Sequence, residues 1–320
     1  MKAIVKKITC IILFSFTLNA FAQVKGKDFS AVDAFVKKAG ALDSMTMGTI
    51  TEIITKPFSD KTEKIRAIFD WIAYNISFDC KAARTGNTQK NSTNDVLLYR
   101  KAVGIGYATL FQDMCSSANI RCLTVDGYIK MNTNEINDAK TDINHSWAVV
   151  QLGQSPEDWL YVDPAWGSGY TDADMKTFTK FYNDAYFFAD KAVFNLQHYP
   201  DNEAWKLGDA PKNKKDFYSL PLVKAAAFEF GLKRMIPNNG YLKVKANKAQ
   251  TFSFTLDAKE TVDKVSLVIG EPKKQKTKEV RFNYDKSSFT FAYTFEDESE
   301  YPVTILVNGK ELVTYLVDSE

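Results

Sequence analysis

Two histidines and four cysteines hold most of the reactive chemistry available to this chain of 320 residues. His145 stands in Asn144-His145-Ser146-Trp147, Asp163 in Tyr161-Val162-Asp163-Pro164-Ala165-Trp166, and His198 in His198-Tyr199-Pro200. An imidazole that meets a thiol can take its proton, and a carboxylate behind the ring can fix its tautomer; together they serve acyl transfer through a covalent intermediate. The cysteines, at 80, 115 and 122 besides Cys10, form no set of ligands at zinc spacing with the two histidines, so neither a metal nor another cofactor is expected. His198, beside Tyr199-Pro200, is assigned to packing or a turn.

The elements that must position these residues are legible. Asp60-Lys61-Thr62-Glu63 supplies an N-cap and a capping-box glutamate. Ile65, Ile68, Phe69, Ile72 and Ile76 then recur at spacings of three and four, which puts them on one helical face. A second helix is predicted over 104–116, with Tyr107, Leu110, Phe111 and Met114 as its apolar stripe. Short runs rich in β-branched and aromatic residues predict strands over 121–130, 145–152 and 159–163. A helix packed on an antiparallel sheet buries both apolar faces, so the class is α+β.

The ordered motifs Ile68-Phe69-Asp70-Trp71-Ile72-Ala73-Tyr74-Asn75, Gly106-Tyr107-Ala108-Thr109-Leu110-Phe111, Val125-Asp126-Gly127-Tyr128, His145-Ser146-Trp147 and Asp163-Pro164-Ala165-Trp166-Gly167 resemble the transglutaminase-like superfamily. Phe187-Phe188-Ala189-Asp190, His198-Tyr199-Pro200-Asp201 and Trp205-Lys206-Leu207 extend the resemblance to the branch of kyphoscoliosis peptidase, over roughly residues 60–235. It implies a papain-like cysteine protease core, with a cysteine at a helix start and a histidine and an aspartate on adjacent strands. His145 and Asp163 match the base and the orienting acid. Gly104 falls where the family carries its nucleophilic cysteine, and Ile105 where it carries a polar residue.

A thiol at a helix N-terminus is activated by the dipole and the free N–H groups there. Glycine offers nothing to activate. Cys115 lies eleven residues along the helix, about 16 Å away at 1.5 Å per residue. Tyr107 is a turn away, but a phenol is a poor acyl acceptor at its ordinary pKa near 10. Cys80 is the thiol that spacing does not exclude. The preferred expectation is a catalytically inactive protein whose vacated cleft, lined by Tyr107, Trp147, Trp166 and Tyr170, binds or scaffolds a peptide, a cell-wall peptide or a protein. The alternative is an active amide hydrolase or acyltransferase that uses a relocated nucleophile or a water activated by His145. Whether it is an enzyme is left open, with the inactive reading preferred.

Residues 1–22 read as a secretory signal peptide: Lys2, Lys6 and Lys7, then an apolar run, then Ala20-Phe21-Ala22 as the cleavage site. The run is too short for a permanent membrane span. A periplasmic or secreted location follows. Three of the 41 basic residues and none of the 39 acidic ones lie in that leader, so its removal leaves 38 against 39. That balance gives no reason to expect nucleic acid as a partner. Cys115 and Cys122 are expected to act as small core hydrophobes, with a disulfide between them left open.

The length fits two domains after the leader, 23–236 with the transglutaminase-like core and helical extensions, and 237–320. The second part carries about seven short strands with turn residues between them, and Asn308-Gly309 signals a hairpin. An immunoglobulin-like β-sandwich is the expected form. The basic run Lys273-Lys274-Gln275-Lys276-Thr277-Lys278 is read as a solvated hairpin loop.

Overall fold

The computed structural model describes residues 24, 26–172, 174–257 and 261–320. The signal-peptide reading of 1–22 lies outside them. Three helices, α1 (Ser30–Ala39), α2 (Met47–Thr55) and α3 (Lys61–Asn75), lead into the core. Helix α3 begins as its sequence demands: the Asp60 carboxylate accepts from the N–H groups of Thr62 at 2.8 Å and Glu63 at 3.2 Å. Its isoleucines at 65, 68 and 72 are fully buried. Two short helices follow, α4 (Cys80–Thr85) and α5 (Thr93–Tyr99), then α6 (Gly104–Ser117).

Helix α6 lies against a four-stranded antiparallel sheet of β1 (Cys122–Ile129), β2 (His145–Gln151), β3 (Trp159–Val162) and β4 (His198–Pro200), in the order β3-β2-β1-β4. The period of two decides which side chains go where. Ala148, Val150, Leu160 and Val162 join Tyr107, Leu110, Phe111 and Met114 and the isoleucines of α3 in one core. Trp147, Val149, Trp159 and Tyr161 point to the other face and pack with Phe194. Both faces of the sheet are therefore covered.

One polar cluster sits inside this core. Arg66 makes a two-pronged contact with Asp33, at 2.8 and 2.9 Å, and reaches Asp70 at 3.1 Å. Tyr182 donates to Asp70 at 2.5 Å. Burial raises the Asp70 carboxyl to about 8, against the opposing pull of Arg66.

The C-terminal part is two sheets closing on one core of Phe252, Phe254, Phe289, Leu267, Ile305 and Tyr315, among others. The first contains Leu232–Ile236, paired with Ala249–Leu256, so this unit begins before the expected boundary at 237. The second is centred on the long hairpin Glu300–Val307 and Lys310–Ser319. Asn308 and Gly309 turn it with φ of 50° and 82°, the left-handed pair that a tight two-residue turn requires. The short strand Leu222–Val223 also pairs with Lys310–Ser319. The basic run is solvated as expected but only half of it is loop: residues 273–275 lie in the hairpin turn, and Lys276–Glu279 forms a fully exposed edge strand on Val265–Ile269. Its charges guard that edge against pairing with other chains.

Candidate active site

Helix α6 starts at Gly104 after an extended Val103, with no side-chain cap. Strand β2 starts at His145, and Asp163 follows directly on β3. The adjacent pairing of β2 and β3 brings the two together: His145 Nε2 lies 2.7 Å from Asp163 Oδ2. The other carboxylate oxygen, Oδ1, accepts from the backbone N–H groups of Ala165 at 2.9 Å and Trp166 at 3.0 Å. Burial alone would raise this carboxyl. The attraction of His145 and hydrogen bonds from both histidines outweigh it and hold Asp163 far below the ordinary carboxylate range.

A carboxylate only accepts, so His145 presents Nε2–H to Asp163. Nδ1 is left to face the start of α6. A Cβ added at Gly104 would stand 2.6 Å from that Nδ1 and 3.1 Å from the Ser146 backbone nitrogen. The first is closer than an unbonded Cβ rests, and the second is tighter than most such contacts. The imidazole thus occupies the space over Gly104 that a side chain at 104 would use.

The second histidine was assigned to packing or a turn; it does pack in the interior, and the structure adds a partner the sequence reading did not give it. His198 opens β4 and places its own Nε2 3.1 Å from Asp163 Oδ2. It is fully buried, stacks on Phe194 with ring centroids 3.9 Å apart, and sits 4.5 Å from the Trp166 ring. Burial pulls its pKa down to about 4 in spite of Asp163. Both histidines of the chain therefore converge on one carboxylate. Sequence spacing suggested no ligand set, yet the ligand atoms of His145, Asp163 and His198 lie within 4.8 Å of one another. As placed, the two Nε2–H protons fill the space between them as hydrogen bonds.

The expected cleft residues divide. Trp166 and Tyr170 line a cleft of ≈ 970 Å³ that opens over Gly104, Ile105 and His145. Tyr107 and Trp147 do not, because both are fully buried. Tyr107 is anchored by donating to the Ile76 carbonyl at 2.8 Å, and Trp147 lies beneath His145, with ring centroids 6.3 Å apart. Each obeys its apolar period instead. The cleft has other walls that the sequence reading missed. Eight large hydrophobic residues stand exposed among the described ones, and four of them, Met131, Ile143, Tyr170 and Phe181, line it. Tyr170 lies in β5 (Gly169–Thr171) of a short hairpin, and Phe181 directly follows its other strand, β6 (Phe178–Lys180). Lys180 pins this hairpin to the end of α3 by donating to the Ala73 carbonyl at 2.8 Å.

Cys80 is not part of the cleft wall. It opens α4 and is buried, and its thiol is raised above its ordinary pKa by burial first and then by Asp172. Cys115 and Cys122 are buried and unbridged, and burial raises Cys115 well above its usual value. Neither supplies a thiolate to His145.

Residues 48–164 match the family model described as the transglutaminase-like superfamily. Mouse kyphoscoliosis peptidase is 30% identical over 229 residues, 68% of this chain and 34% of that protein. The chain belongs to the transglutaminase-like superfamily. Human kyphoscoliosis peptidase is 28% identical over 75% of this chain and 37% of its own length, and places the chain in the same branch. Hillarin of Drosophila melanogaster is 25% identical over 64% of this chain and 26% of its length. The chain spans about a third of the kyphoscoliosis peptidases it matches. Helix α6 on its antiparallel sheet is the transglutaminase-like core that the motifs implied, followed by a β-rich C-terminal region. Among the described residues no helix is long and apolar enough to cross a membrane.

Proposed function

We propose that this transglutaminase-like protein is exported and catalytically inactive, and that it uses the cleft over Gly104 to bind an extended peptide, from the cell wall or from another protein. The observation that carries the reading is the approach of His145 Nδ1 to within 2.6 Å of the place a Cβ would occupy at 104. A covalent nucleophile needs a side chain there, and the base lies over the glycine instead. Loss of such a nucleophile removes most of the rate enhancement of enzymes of this kind. The exposed aromatic and aliphatic side chains along the cleft supply contact area for a ligand. The peptidase named among its relatives is, on this reading, an activity this chain has given up.

A second reading rests on the same atom. His145 lines the cleft, and Asp163 orients its ring so that Nδ1, on the Gly104 side, is the nitrogen that could draw a proton from water. One experiment separates the two. The protein and its His145→Ala variant are incubated with amide and peptide substrates, and peptide capture is measured alongside. Binding without turnover supports the inactive reading. Turnover that disappears in His145→Ala replaces it with the hydrolase.

A further inference from the structure

The cleft holds one buried cation that has no anion. Lys130 follows directly on β1, is 8% exposed, and forms part of the cleft wall. Its ammonium has three N–H donors. Two go to the backbone carbonyls of Phe217, at 2.6 Å, and Leu220, at 2.9 Å, at the end of helix α8 (Lys214–Ser219; α7 is Lys191–Gln197). Among the described residues no carboxylate lies within ion-pair distance of it. Glu135, whose charge acts on it, accepts through Oε2 from the N–H groups of Met131 and Asn132.

An ammonium taken out of water without a counter-charge is costly, and neutral carbonyls recover only part of that cost. Burial accordingly pulls the Lys130 pKa down to about 7. The wall also carries Asp126, Asp142 and Lys140. Asp126 is engaged by the Ser146 hydroxyl at 2.6 Å, and Lys140 is paired with Asp138 at 2.6 Å. Lys224, also on the wall, adds a second cation. We propose that Lys130 is a carboxylate-recognition point, so that the peptide entering the cleft carries a free carboxylate there. This inference rests on the peptide-binding reading. A carboxylate would accept the third ammonium N–H in a low-dielectric wall, where such charge-assisted bonds are strongest. The carboxylate could be a chain terminus or an Asp or Glu side chain, which share this chemistry.

The test uses the whole protein, immobilised, and two pools of randomised N-acetylated hexapeptides, one ending in a free acid and one in an amide. Captured peptides are counted by mass spectrometry. Enrichment of the acid pool by about tenfold or more is expected for one charged hydrogen bond in a buried setting. Enrichment of Asp or Glu within the amide pool would equally support the proposal and identify the side chain as the source. Lys130→Met should abolish either preference and Lys130→Arg should keep part of it, with thermal melts showing that both remain folded. Capture of both pools without preference for any carboxylate overturns the proposal, leaves the peptide cleft standing, and reduces Lys130 to a cap on helix α8. This comparison needs no variant. Failure to capture either pool overturns the peptide-binding reading, and this inference with it.

Discussion

His198 places its Nε2 3.1 Å from Asp163 Oδ2, the oxygen that also holds His145. The orienting acid is therefore fixed from behind by a buried ring as well as by two backbone N–H groups. His198→Ala should leave that oxygen with one donor fewer in a site closed to water. We expect a loss of about 1–3 kcal/mol in stability, the cost of a buried polar group left unsatisfied. Urea unfolding measures it, and a change under about 0.3 kcal/mol would sink this account of His198.

The same ring predicts an acid-side pH dependence. Its folded pKa of about 4 lies below the ordinary 6.5, so its contribution is present above 6.5 and is lost as pH falls toward 4. Asp163, also depressed, acts in the same sense at still lower pH. His198→Gln keeps a donor for Asp163 and removes the titration. The melting temperature of this variant should fall less steeply than that of the parent between pH 6.5 and 4. Parallel curves would contradict it.

Asp70 predicts the opposite slope. Its folded pKa is raised to about 8, so its contribution is present below the unfolded value near 3.8 and is lost as pH rises through 8. Asp70→Asn should flatten the decline in stability between pH 5 and 8.5. An unchanged decline would assign it to other groups.

Gly104→Ala tests the imidazole's position. Alanine at the first turn of a helix ordinarily costs nothing and gains up to about 1 kcal/mol over glycine. Here its Cβ would press on His145, which Asp163 holds, so a net loss of about 1–3 kcal/mol is expected from overpacking. The His145 ring resonances should also move. Stabilisation with unmoved resonances would show that the space is open.

Thiol accessibility checks the last route to a nucleophile. Cys80, Cys115 and Cys122 are all buried. Iodoacetamide should leave all three unlabelled in the native protein and modify them after unfolding. Rapid native labelling of Cys80 would revive it as a relocated nucleophile.

Much of the fold could be read in advance because it follows from local periodicity. The stripes of α3 and α6 and the alternation of β2 and β3 hold in the structure for the reason they were visible, since a buried face must repeat at the period of its element. The pairing of β1 with β4 was not visible, because nothing local tells Ile129 that His198 lies opposite. His198 was missed for that reason. Scarcity was the available signal: a chain with two histidines has both on one carboxylate. Tyr107 and Trp147 were drawn to the cleft by their proximity in sequence to Gly104 and His145, when the apolar period had already committed them to the interior. The cleft walls come from Lys130, Ile143, Phe181 and Lys224, which are far apart in the chain and have no common pattern.

The short strand Leu222–Val223 lines the cleft and is hydrogen-bonded to Lys310–Ser319, with the Lys224 N–H adding a bond to the Leu312 carbonyl. One bank of the cleft is thus stitched to the central hairpin of the C-terminal sheets, while the imidazole and the glycine belong to the other unit. The cleft therefore has a bank in each unit, and its width depends on this backbone seam as well as on the side chains that line it.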